Sequence, residues 1–145
     1  MQNPHVYSLG DAAITAAVIN QVITEGIAGN GAAQALVDRL EGMTAVTLTA
    51  LFAYGSGGTS VKVDVETCLD GVNWIPIARF AFTTATAHKT MTVSGLTPKT
   101  AAALIAALSD DTALDGVLGD RLRAKITSTG TYAGNTSVSV RASVR

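Results

Sequence analysis

One stretch of the sequence decides the fold: SVKVDVETCLDGVNWIPIARFAF, residues 60–82. Val61, Val63 and Val65 alternate with charged side chains, so the pattern repeats every two residues. On a β-strand this period places the valines on one face and the charges on the other. The Asp-Gly pair at 70–71 is typical of a tight turn, because glycine adopts a positive φ without steric cost. The stretch is therefore predicted to be a β-hairpin.

Four other segments also alternate between apolar and polar side chains, and each is predicted to be a strand with one buried face. They are residues 46–54, 89–93, 121–128 and 137–145. Together with the hairpin they give at least six strands, separated by turn signals at short spacing. This pattern is typical of a mainly β protein, either an antiparallel β-sandwich or a jelly-roll-like barrel.

The first 43 residues are less regular, and we divide the chain into an N-terminal arm (1–43) and a β-sandwich domain (44–145). Residues 12–23 fit the helix and strand templates about equally well. The glycines between 26 and 31 interrupt this segment, and residues 32–40 have the spacing of a short helix. The arm is predicted to be extended or a strand, followed by a loop with a helical turn.

A second irregular segment, residues 96–119, lacks the alternation of a strand. Thr97-Pro98 suits a helix start, since a hydroxyl caps the first turn and proline is tolerated there. Leu104, Ile105 and Leu108 then follow at helical spacing. Long connections in compact domains are commonly functional. We therefore predict a short helical excursion that packs on a neighbouring subunit, with these three residues as protein contacts.

Composition excludes several classes of function. The formal net charge is −1, so the domain as a whole has no positive electrostatic potential that would attract nucleic acid or an acidic membrane. A single cysteine excludes an internal disulfide and a thiolate metal cluster. No stretch approaches the ~20 apolar residues of a membrane span, and no acid–base constellation of an enzyme is visible. We expect no catalysis, no cofactor, no metal and no small-molecule ligand. Charged residues form only 14% of the chain, which suggests either that a partner covers part of the surface or that the domain has a small alanine-rich core.

The strongest feature outside the predicted core is a row of basic residues. It comprises Arg121, Arg123, Lys125, Arg141 and Arg145. If the last two strands pair, these side chains form one basic face. Such a face suits an anionic partner surface, such as acidic patches on another protein. The alternative is a solvated outer face that also protects a sheet edge.

Three smaller features have structural interpretations. Asp64 and Glu66 share one strand face with Lys62, so cross-strand ion pairing is expected there. Cys68 falls on the same face and is expected to be an inert thiol. The glycines at 55–58 are expected to form a loop without regular structure, because the lysine and helix of a phosphate-binding loop do not follow them.

Three runs of the sequence carry a family resemblance: YGSGGTSVKV (54–63), ETCLDGVNWIPIARFAFTT (66–84) and GDRLRAKITSTGTYAG (119–134). Through them, residues 42–145 resemble a group of small structural proteins of tailed phages and prophages. Cys68 stands where a serine is more usual, and Pro76 where an aspartate is more usual. Proline lacks a backbone donor, so we expect position 76 at a sheet edge or a bulge.

The resemblance implies a virion component, most simply a capsid decoration or cement protein that binds the outside of the phage head and stabilises it. Its partners would be the major capsid protein and copies of itself, and it would be made in the cytoplasm of the bacterial host. Residues 1–31 and 96–119 would be the contact elements, so that deleting residues 1–20 would leave a folded domain unable to bind the shell.

Two other functions remain open from the sequence. A head–tail connector or tail component would use the same fold in a ring. A carbohydrate-binding β-sandwich module is a different class, suggested by the Asp-Gly-x-x-Trp pattern at 70–74. A sugar platform needs two or three exposed aromatic rings, whereas Trp74 is the only tryptophan and is expected in the core.

Overall fold

The structure is a computed structural model and describes residues 5–23, 40, 42–101, 103 and 107–145. Eleven strands form within these residues. They are β1 (His5–Ala13), β2 (Gln21–Val22), β3 (Ala45–Ala53), β4 (Ser56–Gly57), β5 (Ser60–Cys68), β6 (Trp74–Phe82), β7 (Ala87–Ser94), β8 (Thr112–Ala113), β9 (Arg121–Thr129), β10 (Tyr132–Ala133) and β11 (Ser137–Val144).

The strands form two main sheets. One has the order β1-β11-β3-β7, the other has the order β2-β9-β5-β6-β8, and β10 pairs with β4 at a corner. All pairs are antiparallel, which confirms the prediction of a mainly antiparallel β fold. The hydrophobic core takes its side chains from both main sheets, consistent with a β-sandwich.

The predicted helical excursion is not seen. Residues 101, 103, 107 and 108 are irregular, while 102 and 104–106 lie outside the described residues, as do 32–39 of the other expected helical turn. Leu104 and Ile105 therefore cannot be placed, and Leu108 is half-buried in an irregular segment. In the part of the chain that the structure describes, no helix is long and apolar enough to cross a membrane.

The hairpin of β5 and β6 is confirmed, with Cys68 opposite Trp74 at its closed end. Val61, Val63 and Val65 are fully buried, as their alternation predicted. The pairing shifts by one residue between Val65 and Glu66, so that Ile77 forms a bulge in β6. Pro76 lies next to this bulge, as expected for a residue without a backbone donor.

Asp70 holds the turn of this hairpin. Its carboxylate accepts the backbone N–H groups of Asn73 (2.7 Å) and Val72 (2.8 Å) and the side-chain amide of Asn73 (2.7 Å). These bonds, led by the Asn73 backbone N–H, lower the pKa of Asp70 from 3.8 to about 2. The carboxylate therefore fixes the turn residues in one arrangement.

This shift predicts how the turn responds to acid. The folded pKa lies below the ordinary value, so the bonds of Asp70 contribute fully above about pH 4 and are lost as the pH falls through 2. An NMR titration of the Asp70 carboxyl carbon should have its midpoint near pH 2. Asn73→Ala removes one donor and should raise that midpoint. A wild-type midpoint at the ordinary value of 3.8 would show that the turn is not fixed in this way.

Over residues 5–23 the predicted arm is part of the two sheets. β1 pairs with β11 along its whole length, and β2 pairs with β9. Leu9 is fully buried and Tyr7 and Ile14 nearly so. Gly10 carries a positive φ of 124° at a bulge that shifts the register of β1. This segment therefore supplies core side chains as well as backbone pairing.

The glycine-rich segment 55–58 is ordered, and the prediction of an irregular loop is wrong. Ser56 and Gly57 form β4, which pairs with β10. Gly58 has a φ of 71° and lies directly under the ring of Tyr132, where an added Cβ would approach the ring to 2.2 Å. An added Cβ would collide at each of the three glycines, with this ring at Gly58 and with the backbone of residues 131–134 at Gly55 and Gly57.

Candidate functional site

The predicted basic face does not form as one surface. β9 pairs with β2 and β5, whereas β11 pairs with β1 and β3, so the last two long strands lie in different sheets. The corner at 130–136 carries the chain from one sheet to the other. Arg121, Arg123 and Lys125 lie on the outer face of the five-stranded sheet. Arg141 lies on the outer face of the four-stranded sheet, and Arg145 follows at the end of β11.

Two carboxylates are buried on the outer face of the five-stranded sheet, and both are paired. Asp64 accepts two bonds from Arg79, at 2.6 and 2.8 Å. Glu66 accepts a bond from Arg123 at 2.7 Å and lies 3.0 Å from the Lys125 ammonium. Each acid is only 3% exposed. Cross-strand ion pairing is confirmed: the two carboxylates of β5 meet three cations, Arg79 on β6 and Arg123 and Lys125 on β9.

Trp74 lies on this outer face, not in the core as expected. The bulge at Ile77 shifts the alternation of β6, which turns Trp74 to the same side as Cys68. The Arg123 guanidinium stacks over the Trp74 ring, 4.2 Å from its centroid. Trp74 and Arg123 stand on either side of β5, and the two residues between them, Glu66 and Cys68, are almost fully buried. Cys68 is thus covered by its neighbours, in keeping with an inert thiol.

The turn that closes the hairpin, just before Trp74 in the chain, exposes two apolar side chains. Leu69 is 60% exposed and Val72 is 76% exposed. Arg121 stands opposite Cys68 on the neighbouring strand, and its guanidinium lies near Gly71 of the turn. We call Leu69, Val72, Trp74, Arg121 and Arg123 the tip patch.

The described part of the 96–119 excursion is fastened to its own domain by aspartates. Asp110 pairs with Lys62. Asp111 accepts bonds from Lys89 (2.8 Å) and from the backbone of Ala81 (3.0 Å). Partial burial opposes ionisation of Asp111, but these bonds outweigh it, and the pKa of Asp111 is lowered. Residues 107–119 therefore pack on β6 and β7 of the same chain.

A shallow cleft of about 320 Å³ lies between this loop and the hairpin. Its polar side chains are Lys62, Lys89, Asp110 and Asp111, which are bonded to one another in pairs. Within the described residues, no group of three or more His, Cys, Asp or Glu side chains is placed to hold a metal ion. The charged groups of the cleft are thus neutralised by one another.

The outer face of the four-stranded sheet has a different chemistry, dominated by small hydroxyl side chains. Cross-strand partners on it include Thr47 with Thr92 and Thr49 with Thr90. We call it the hydroxyl face; its members are Ser8, Thr47, Thr49, Thr90, Thr92, Ser137, Ser139 and Ser143. Thr90 and Thr92 are exposed and the other members are partly exposed, although the Ser8 hydroxyl oxygen is itself buried without a hydrogen-bond partner among the described residues.

Charge on the hydroxyl face is neutralised locally. Arg141 donates to both carboxylate oxygens of Asp11, at 2.9 and 3.2 Å. These hydrogen bonds lower the pKa of Asp11. The face also carries Leu51, which is 42% exposed at its centre. Most side chains on the face are therefore short and uncharged, and the larger ones are Leu51, His88 and the paired Arg141 and Asp11.

Sequence reasoning missed both surfaces. The hydroxyl face was visible as Ser and Thr at alternate positions of segments 47–51, 90–92 and 137–143, which were assigned only as the solvated side of each strand. The tip patch had no such signal, since its tryptophan is turned outward by a bulge. Leu69 and Val72 flank the Asp-Gly turn, where exposed apolar residues could have been noticed.

No protein-family model matches the chain, and no curated protein or solved structure matches it. The resemblance to tailed-phage structural proteins therefore stays a prediction.

Proposed function

We propose that the chain is a virion structural protein of a tailed phage, a decoration or cement protein that binds the outside of the head and stabilises it. It would act by binding, with the major capsid protein and neighbouring copies as its partners. The hydroxyl face is the observation that carries the contact role, and the resemblance of residues 42–145 supports the virion.

The hydroxyl face suits burial against protein. The cores of protein interfaces are depleted in charged residues, because each charge must be desolvated. Here Arg141 and Asp11 pair with each other, and most of the other side chains are short and uncharged. A partner could cover this face without leaving an unpaired charge.

The size of the face suits a protein that binds in many copies. Four strands about 4.8 Å apart and eight residues long span an area on the order of 500 Å². A stable interface between two proteins needs roughly 800 Å² on each side. The hydroxyl face alone would therefore give a weak contact, and a shell-bound protein would need a second contact or many simultaneous ones.

Binding to heads tests the proposal. Heads purified from a phage strain that lacks the gene for this chain would be mixed with the purified protein and pelleted. We expect saturable binding at a fixed stoichiometry. Thr92→Glu places a charge on the hydroxyl face at β7, two strands from Arg141, and should weaken binding at least tenfold, which is about 1.4 kcal/mol.

Thr84→Glu is the matched control, because Thr84 is exposed in a connection outside the hydroxyl face. It should bind like the wild type. Protein that stays in the supernatant at all concentrations would contradict the decoration function. Equal binding by the two variants would show that the hydroxyl face is not the contact.

A further inference from the structure

We propose that the tip patch is a second docking site, built for a protein surface that presents carboxylates beside an apolar side chain. The inference rests on the proposed function in that the partner would belong to the phage head. It assigns the recognition to five residues at one end of the molecule, away from the hydroxyl face.

The first argument is preorganisation. Arg123 is held from below by Glu66 at 2.7 Å, and its guanidinium lies against the Trp74 ring. Glu66 is in turn held by Lys125. Side chains fixed before binding lose little conformational entropy when a partner arrives. Tryptophan and arginine are also the residues that contribute most to binding energy at protein interfaces.

The second argument is the exposure of apolar side chains on a rigid support. Val72 is 76% exposed and Leu69 60% exposed, although both lie in a turn that Asp70 fixes through three hydrogen bonds. The turn therefore cannot readily fold these side chains inward. A partner that covers them removes apolar surface from water at no cost in loop ordering.

The third argument concerns hydrogen bonds and charge. Two carboxylates near the patch are already used, since both oxygens of Glu66 meet cations and both oxygens of Asp70 accept bonds from the turn. A third, Asp120, is half-exposed beside Arg121. Among the described residues, Arg123 has a short bond to Glu66, whereas the acceptors of Arg121, Asp120 and the Gly71 carbonyl, are both 3.5 Å away. A guanidinium has five N–H donors, so the patch offers donors and needs acceptors. Carboxylates are the acceptors that complement arginine best.

Trp74 reports on the patch directly, because it is the only tryptophan of the chain. The first experiment titrates the purified protein with poly-L-glutamate in low-salt buffer and follows Trp74 emission. We expect a saturable change that disappears at high salt, as for any contact between exposed charges. Arg121→Gln should weaken the apparent affinity about threefold or more. Arg141→Gln, the same change on the opposite sheet, should leave it unaltered.

The second experiment repeats the pelleting assay with heads. The double variant Arg121→Gln, Val72→Ser should bind at least about tenfold more weakly, since it loses one charge and one apolar anchor. Val72 is exposed and Arg121 is partly exposed, with contacts to the described residues that are no shorter than 3.5 Å, so the variant should keep nearly the wild-type melting temperature. That temperature is measured alongside.

The two experiments separate the two proposals. No response of Trp74 to poly-L-glutamate, or a response that Arg121→Gln leaves unchanged, overturns the docking site whatever the heads do. Wild-type pelleting by the double variant also overturns it, while the decoration function stands. If the wild type does not pellet with heads, the decoration function falls and Trp74 emission alone decides the docking site.

Discussion

Tyr132→Ala is expected to lower the free energy of unfolding by about 3–5 kcal/mol, the range for deleting a buried aromatic ring. Tyr132 is 1% exposed and packs edge-on against Phe52 and Tyr54, with centroid distances of 5.9 and 6.2 Å. Its hydroxyl donates to the Thr83 carbonyl at 2.7 Å, which ties the corner between the sheets to the end of the hairpin. Chemical denaturation would measure the loss.

A second variant isolates the hydroxyl. Tyr132→Phe keeps the ring and leaves the Thr83 carbonyl without this donor, so it should cost about 1–3 kcal/mol. If Tyr132→Ala and Tyr132→Phe cost the same, the ring contributes nothing beyond its hydrogen bond and the packing described for this corner is wrong.

Gly58 provides a sharper check of the same corner. In the wild type, Gly58→Ala drives a methyl group into the Tyr132 ring and also strains a backbone at a φ of 71°. In the Tyr132→Ala background only the strain remains, at roughly 1 kcal/mol. The cost of Gly58→Ala should therefore be clearly smaller in the double variant. Additive costs would show that the ring and the glycine are not in contact.

Deleting residues 1–20 is expected to abolish the cooperative unfolding transition, contrary to the sequence-based expectation of a dispensable arm. The deletion removes β1, which pairs with β11, and takes Tyr7, Leu9 and Ile14 out of the core. It also exposes one whole edge of β11, and an unpaired strand edge promotes aggregation. Circular dichroism during thermal unfolding would show a broad transition or none.

Point variants keep this prediction testable if the deleted chain is insoluble. Leu9→Ala should cost about 2–5 kcal/mol, because Leu9 is fully buried. Val6→Ala on the same strand should change stability by about 0.5 kcal/mol or less, since Val6 is 57% exposed. A truncated protein with the wild-type melting temperature would restore the arm as a separate contact element.

The sequence was informative wherever a strand has one buried face. Alternation predicted the hairpin and the buried valines, and the missing donor of Pro76 predicted the bulge beside it. These features depend on neighbouring residues, which a pattern can report.

The remaining features depend on long-range pairing or on irregular backbone. Alternation shows which side of β9 and β11 is buried, but not that the two strands belong to different sheets. The bulge at Ile77 reverses the direction of Trp74, and the bulge at Gly10 breaks the pattern of β1. The neutral hydroxyl face appears only when four strands lie side by side. Arg123 and Lys125 contact Glu66 because β9 pairs with β5, and this pairing is also long-range.

Thermal melting of heads that lack the protein is the most direct test of the proposed decoration function. A protein that binds the assembled shell and not its dissociated subunits stabilises the shell by mass action. We predict that the shell melting temperature rises with the concentration of added protein and then saturates, with the free protein present as a monomer or small oligomer. An unchanged shell melting temperature, together with a closed ring of the free protein, would contradict the decoration function and favour a position on the head–tail axis.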